Sequence, residues 1–233
     1  MEKTTVFNLI IIDESGSMSG ARESVISGCN ETIDVAKRIQ HDHSDAQNSF
    51  VSIYAFQSQG PVESRYICKN IKAEDAFHID HSHYDPHGLT PMLDAIGSTI
   101  VDLQAIAATH TDATAVVTII TDGYENSSRR YSWQQVKKLI SQVKELGWTV
   151  NFIGANIDVE KVADDLDIDS RMAFRSDASG TKAMFSKMAM CWESYTKDRI
   201  SRESDPDLSQ EEKVQLRKTS SKNFFRSPDK SDD

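Results

Sequence analysis

Residues 6–17 read Val6-Phe-Asn-Leu-Ile-Ile-Ile12-Asp13-Glu-Ser15-Gly-Ser17, an apolar run that gives way abruptly to polar side chains. The run at 6–12 has the length of a strand, and its apolar character is typical of a central strand buried on both faces. Strands of that kind belong to parallel sheets that helices cover on both sides. This first segment therefore predicts an α/β fold with a polar cluster at the carboxyl end of its central strand.

Short apolar runs and amphipathic stretches alternate along the rest of the chain, which predicts β-α units on a mostly parallel sheet. The apolar runs predict strands at 50–56, 115–121 and 148–153, and the helical spacing of apolar residues predicts helices at 21–39, 91–108, 159–166 and 181–200. Ser132 is expected to cap another helix that ends at Gly147. Residues 62–68, after the Gly60-Pro61 turn, are expected to form an antiparallel edge hairpin with 50–56. The expected fold is a doubly wound α/β sandwich with one antiparallel edge strand.

Composition limits the classes of partner and compartment. Thirty-six acidic against 26 basic residues give a formal net charge of −10, which disfavours binding to nucleic-acid phosphates. The N-terminal residues show no cationic leader, and the run at 6–12 is too short for a membrane span. Cys29, Cys68 and Cys191 are sparse and widely spaced, as in a reducing compartment. These features predict a cytoplasmic protein without membrane or nucleic-acid contacts.

A change of composition divides the chain. Residues 1–200 are predicted to form the folded domain. From 201 to 233 Ser, Asp, Lys and Arg dominate, which predicts a charged, flexible C-terminal tail. Within that tail, Ser209 and Glu212 have the spacing of a capping box for one short helix.

Polar side chains occur where three of the predicted elements meet their loops. Asp13, Ser15 and Ser17 follow the first strand, Thr90 precedes a helix, and Asp122 with its following glycine ends the strand at 115–121. Ligands of open α/β sheets bind at the carboxyl ends of the strands. These five oxygen-bearing side chains are therefore the candidate site.

The pattern D-x-S-x-S, a distant Thr and a distant Asp-Gly resembles the metal-ion-dependent adhesion site of von Willebrand A domains. The resemblance covers about residues 5–200. The segments Tyr84-Asp-Pro-His-Gly-Leu-Thr90-Pro-Met-Leu-Asp94, Ile119-Ile-Thr-Asp122-Gly-Tyr-Glu-Asn-Ser-Ser128 and Phe152-Ile-Gly-Ala-Asn-Ile-Asp158 look like stand-alone bacterial and phage members of that family. So does the last predicted helix, with Tyr195 and Arg199.

The resemblance implies that Asp13, Ser15, Ser17, Thr90 and Asp122 hold Mg²⁺ or Mn²⁺, with the three hydroxyls as direct ligands and the two aspartates acting through water. Mg²⁺ prefers six hard oxygens and keeps several waters. Neutral direct ligands leave the ion short of negative charge, so an acidic residue of a partner protein would complete its shell. The implied role is protein recognition rather than catalysis, with an ATPase, a kinase or phosphatase system, or an assembling complex as the partner. In the family, a change of coordination couples to sliding of the last helix, here 181–200.

Two alternatives stay open on the sequence alone. One is a metal-dependent hydrolase that uses the same ion together with His81 and His83 of the histidine-rich stretch at residues 78–87, a stretch that could also hold a second metal such as zinc. Glu14 and Glu125 are expected on the rim of the site, with a general-base role on a metal-bound water as the alternative. Against a hydrolase, the chain has no phosphate-binding glycine loop, and Ser15 replaces the second aspartate of a phosphoryl-accepting D-x-D motif. The other is a scaffold subunit with a purely structural metal. Arg129 and Arg130, which follow Asp122, are either a dock for an acidic partner or simply solvated side chains.

Overall fold

The strands of this computed structural model are β1 (Thr4–Asp13), β2 (Gln47–Phe56), β3 (Arg65–Lys72), β4 (Ala113–Thr121), β5 (Thr149–Gly154) and β6 (Ser170–Ala173). The structure describes residues 3–58, 64–222 and 224–225. In that part of the chain the strands form a sheet in the order β3-β2-β1-β4-β5-β6. All neighbouring pairs are parallel except β2 and β3 at one edge. The predicted doubly wound sheet with one antiparallel edge strand is confirmed.

The helices are α1 (Arg22–Asp42), α2 (Met92–Ala107), α3 (Trp133–Glu145), α4 (Val159–Asp165), α5 (Ala178–Arg202) and α6 (Gln210–Ser221). The side chain of Ser132 caps α3, as predicted, and forms a reciprocal capping box with Gln135. Helices α1 and α5 pack against one face of the sheet, and α2, α3 and α4 pack against the other. Covering on both faces explains why every residue of β1 is buried.

Strand order places the candidate site. From β1 the chain crosses to β2 on one side of β1, and it later returns to lay β4 on the other side. The crevice between the carboxyl ends of β1 and β4 is therefore the topological switch point of the sheet, where doubly wound folds bind ligands. Asp13 ends β1, and Asp122 directly follows β4.

The crossing of α1 and α5 requires a glycine. A methyl group at Gly28 of α1 would lie 2.1 Å from Cδ2 of Phe185 on α5. Phe185 is fully buried, so its ring has no space to move aside. The close approach of these two helices fixes α5 against the sheet beside β1.

The expected tail differs from the structure between 201 and 222. The predicted capping box of Ser209 and Glu212 is present, and it begins α6, which packs onto the end of the sheet opposite the candidate site. The side chain of Arg217 in α6 is 1% exposed and forms ion pairs with Asp112 and Glu203, both at 2.8 Å. The docking of α6 could not be predicted from composition, because the carboxylates that bind Arg217 lie 105 and 14 residues away in the chain. Residues 223 and 226–233 of the predicted tail lie outside the described residues.

Two further bounds differ from the sequence prediction. The short strand β6 was not predicted, because four residues are too few for an apolar period to show. The edge strand begins at Arg65 and runs to Lys72, later than the predicted 62–68. Residues 62 and 63, and the Gly60-Pro61 turn, lie outside the described part of the chain.

Helix α5 is 25 residues long and carries charged residues along its length, among them Lys182, Lys187, Glu193 and Arg202. Among the residues that the structure describes, no helix has the length and apolar character that crossing a bilayer requires.

Candidate metal centre

The predicted site residues converge at the switch point. The carboxylate of Asp13 accepts a hydrogen bond from the backbone N–H of Ser15 at 2.7 Å. The hydroxyls of Ser15 and Ser17 lie 3.1 Å apart, and the Ser17 hydroxyl donates to Asp122 Oδ1 at 2.5 Å. A methyl group at Gly123 would lie 3.7 Å from Thr90 Oγ1 and 4.0 Å from Ser17 Oγ. All five side chains therefore face one small region.

Backbone hydrogen bonds hold the segment that carries Thr90 against the loop after β1. Gly16 N–H donates to the carbonyl of Gly88 at 3.1 Å, and His87 N–H donates to the carbonyl of Glu14 at 2.9 Å. Gly88 has a φ of 76°, a left-handed conformation that glycine adopts without steric cost. The fully buried Tyr84 adds a hydroxyl bond to the carbonyl of Asp13 at 2.7 Å. These contacts fix Thr90 beside two serines that are more than 70 residues away in sequence.

The two aspartates are buried without a positive partner. Burial raises the pKa of Asp13 from 3.8 to about 6, although hydrogen bonds from Thr121 and Ser15 lower it. Burial also raises the pKa of Asp122, against the hydrogen bond from Ser17. In the described part of the chain, no lysine, arginine or histidine lies within ion-pair distance of either carboxylate. Buried carboxylates are costly unless a cation compensates them.

The donor set fits a hard divalent cation. Its side-chain atoms are carboxylate and hydroxyl oxygens, which are the ligands that Mg²⁺ and Mn²⁺ prefer. The negative charge of the carboxylates is uncompensated by other side chains, and a divalent ion would supply that compensation. The site lies at the carboxyl end of the central strands, where Ser17 is exposed. A cation held here would thus be accessible from outside the protein.

Glu14, which the sequence offers as a general base at the surface of the site, is instead fully buried. Its carboxylate accepts hydrogen bonds from Arg65 at 2.6 and 3.0 Å and from the backbone N–H of Asp85 at 2.7 Å. Arg65 also donates to the carbonyl of His83 at 2.7 Å. Glu14 therefore ties the edge strand β3 to the segment that carries Thr90, and its oxygens are already engaged. The sequence could not show this role because the pair is 51 residues apart.

Glu125 is likewise a structural carboxylate. It accepts hydrogen bonds from the backbone N–H groups of Leu93, Ser127 and Ser128 at 2.7–2.9 Å, and from the Ser128 hydroxyl. The neighbouring Asn126 exchanges two hydrogen bonds with the backbone of Thr90, at 2.9 and 3.2 Å. The loop after Asp122 is therefore locked onto the start of α2, and Glu125 is not positioned as a free general base.

The histidines of residues 78–87 do not converge. His78 lies 2.8 Å from Asp34, His81 lies 3.2 Å from Glu23, and His83 lies 2.7 Å from Asp80. His87 instead contacts the Gln57 side chain and the carbonyl of Asp85. Within the described ranges, no group of three His, Cys, Asp or Glu side chains is arranged to hold a metal. The segment lies close to the site through its backbone, whereas its rings point to different partners.

The fold is that of von Willebrand A domains. A von Willebrand factor type A structure from Catenulispora acidiphila is 20% identical, with a TM-score of 0.51, over 80% of this chain and 42% of that one. The pilus adhesin SpaC from Lactobacillus rhamnosus GG, in its open conformation, is 14% identical, with a TM-score of 0.58, over 82% of this chain. This chain spans only about 30% of the adhesin's length. At these identities the likeness establishes the fold alone.

Sequence comparison adds nothing to this assignment. No protein-family model and no curated protein matches the chain.

Proposed function

We propose that the chain is a recognition module that binds a partner protein through a divalent cation, Mg²⁺ or Mn²⁺. Ser15, Ser17 and Thr90 would ligate the ion directly, and Asp13 and Asp122 would supply charge through water. The observation that carries the proposal is a cluster of five oxygen side chains whose two buried carboxylates lack a cationic partner. When bound, the ion would polarise and attract an anionic oxygen at its open position.

An acidic side chain of the partner is the proposed ligand for that position. Hydroxyl groups carry no formal charge, so an ion ligated mainly by them retains affinity for an external carboxylate. The exposed location at the edge of the sheet allows a partner residue to reach the ion. The resemblance in fold supports this role in binding a partner protein. For the class of partner we propose an ATPase or a kinase or phosphatase system.

Recognition is favoured over hydrolysis by the groups around the site. The two carboxylates that sequence reasoning offered as general bases, Glu14 and Glu125, already accept hydrogen bonds at both oxygens. The histidines of residues 78–87 pair with acids elsewhere or with loop groups. We therefore propose a non-enzymatic module of the stand-alone bacterial or phage type. Its three cysteines are free, which agrees with a proposed cytoplasmic location.

Removing the Thr90 hydroxyl tests this function. Thr90→Val keeps the shape of the side chain but deletes a proposed metal ligand, so we expect at least a tenfold loss of metal-dependent partner capture. The measurement is a pull-down on the immobilised chain from lysate of its source organism, in millimolar Mg²⁺, in chelator, and after Mg²⁺ is restored. Thr99→Val is the matched control, because Thr99 is buried in α2 and its hydroxyl bonds only to backbone carbonyls of that helix.

Each rival reading has its own outcome in that experiment. Capture that is equal in Mg²⁺ and in chelator would contradict cation-dependent recognition. A metal that raises only the unfolding temperature, with no capture, would show a structural role. Turnover of generic phosphoesters or peptides that requires the metal would show a hydrolase.

A further inference from the structure

Arginine side chains in this protein are almost all paired with carboxylates. Ten arginines lie in the described residues, and eight of them are within ion-pair distance of an Asp or Glu: Arg22, Arg38, Arg65, Arg171, Arg175, Arg199, Arg202 and Arg217. Arg129 and Arg130 are the two exceptions in that part of the chain. The chain has ten more acidic than basic residues, so partners for arginine are abundant. Two adjacent exposed arginines without a carboxylate are therefore unusual here.

The backbone that carries these arginines is held rigidly. The carboxylate of Asp94 in α2 accepts hydrogen bonds from the N–H groups of Arg129, Arg130 and Tyr131 at 2.8, 2.8 and 2.9 Å. The Arg130 guanidinium lies 5.9 Å from the ring centroid of Tyr131, at the outer limit of a cation–π contact. Because the backbone is already ordered, binding an anion here costs the entropy of the arginine side chains but not that of ordering the loop.

Both arginines line a surface pocket next to the proposed metal site. The pocket has a volume of about 420 Å³, and its wall includes Leu89 and Pro91, the residues on either side of Thr90. Leu89 is 53% exposed, so it offers a partner an apolar contact beside the polar site. A partner residue at the cation would thus have its neighbours along the chain close to this pocket.

The described residues that line the pocket carry a net positive charge. Asp94 is the acidic residue in its lining, and that carboxylate is already bound by three backbone N–H groups. The two guanidinium groups leave a net positive charge in a protein whose formal net charge is −10. Planar guanidinium groups bind carboxylates through paired hydrogen bonds, which makes arginine well suited to recognise acidic side chains.

We infer that this pocket binds a second acidic side chain of the same partner segment, with Arg129 and Arg130 as the specificity-determining residues. The inference rests on the proposed function, because the first acidic residue of that segment is the one that completes the cation's shell. The partner class is then an acidic peptide segment with two carboxylates a few residues apart. In an extended peptide each residue spans about 3.3–3.6 Å, so the spacing of the two acids is a measurable property of the site.

Blocked glycine–serine peptides test the inference on the full chain. One peptide carries a single aspartate, and the others carry two aspartates separated by one to four residues. Their affinities are measured by NMR titration of the isotope-labelled chain in saturating Mg²⁺ at fixed ionic strength. We expect the best two-aspartate peptide to bind about three- to tenfold more tightly than the single-aspartate peptide. This exceeds the factor of two that a second identical carboxylate gives by statistics.

The variant Arg129→Gln/Arg130→Gln should bind both kinds of peptide with the same intrinsic affinity, while its Mg²⁺ affinity without peptide should not fall, because the substitutions remove positive charge near a cation site. Arg38→Gln/Arg202→Gln is the matched control, since it removes the same charge from exposed residues on α1 and α5. An equal loss in the control would reduce the effect to net charge and overturn the inference. So would a phosphoserine peptide that binds more tightly than every two-aspartate peptide, because the pocket would then select phosphate.

The peptide titrations distinguish the role of the two arginines from the proposed cation-dependent recognition. Single-aspartate binding that needs Mg²⁺, with no gain from a second aspartate, would overturn the role of the arginines and leave the proposed function standing. Absence of Mg²⁺-dependent binding for every peptide, with peptide at millimolar concentration, would overturn both.

Discussion

Replacing Asp13 with asparagine is expected to weaken Mg²⁺ binding by about 10- to 100-fold, as measured by calorimetric titration. The substitution removes one of two buried negative charges from the proposed site and keeps the size of the side chain. The variant should still fold, because an asparagine oxygen accepts from the Ser15 N–H, and its amide donates to Thr121 Oγ1. The Thr121 hydroxyl would then donate its hydrogen to the carbonyl of Gly123, which already lies 3.0 Å away.

Asp85→Asn is the control for this substitution. Asp85 lies at the same edge of the sheet, its side chain is 65% exposed, and it pairs with Arg22. Its removal changes the net charge equally, so Mg²⁺ affinity should stay within about twofold of the wild type. Equal losses in the two variants would mean that the ion responds to overall charge and not to a built site.

Replacing Arg217 with methionine is expected to lower the free energy of unfolding by about 2–3 kcal/mol, less than for a fully unpaired buried charge because Asp112 keeps Lys213 at 3.1 Å and Glu203 keeps Arg199. The substitution leaves the buried carboxylates of Asp112 and Glu203 without their shared guanidinium, while methionine fills most of the space. Glu203 also pairs with Arg199 of α5 at 3.2 Å, so the loss reaches the end of that helix. Urea unfolding followed by circular dichroism measures the change.

Lys218→Met, on the next residue of α6, provides the comparison. Lys218 pairs with Glu145 at the surface, and exposed pairs contribute about 1 kcal/mol or less. A change of similar size in both variants would show that α6 is held by its position on the surface and not by the buried ion pairs. Acid should weaken the same contact. Burial raises the pKa of Asp112, but the charge of Arg217, together with hydrogen bonds from Arg217, Lys213 and Thr4, outweighs burial, so the pKa is lowered. The stabilisation is therefore present at neutral pH and is lost as the pH falls below about 4.

Helix α5 is anchored in this protein at the end far from the candidate site. Helix α5 is followed by α6, and the cluster of Arg199, Glu203, Arg217 and Asp112 joins the two helices to the first residues of β1 and β4. The family resemblance implies that α5 slides when the metal coordination changes. Such a movement would have to break this cluster or shift all of it together. The Arg217 variant, which weakens the cluster, therefore also tests that hypothesis.

The sheet could be predicted from the sequence because its central strands are continuous apolar runs. The apolar runs at 6–12 and 115–121 predicted the two central strands, β1 and β4. Ser132 correctly predicted the start of α3. What could not be predicted depends on contacts between distant residues. Strand β6 buries too few residues to produce a pattern, and α6 docks through ion pairs that composition alone presents as a solvated charged tail.

In the candidate site, too, local sequence patterns predicted some features, whereas contacts between distant residues could not be predicted. Its five oxygen side chains were identified because each follows or precedes an apolar element, and strand order then brings them together. The burial of Glu14 was missed, since a glutamate next to a polar motif gives no sign of an arginine 51 residues later. The dispersal of the histidines of residues 78–87 was equally hidden, because spacing along a loop does not fix where the rings point.

The location of a bound cation can be measured directly. Crystals of the protein grown or soaked with Mn²⁺ would give an anomalous difference map in which the manganese position is independent of any assumption about ligands. We predict one strong peak within coordination distance of the hydroxyl oxygens of Ser15, Ser17 and Thr90, with the carboxylates of Asp13 and Asp122 around it. No peak at this edge of the sheet, or a single peak among the histidines of residues 78–87, would contradict the proposed metal centre and the recognition function built on it.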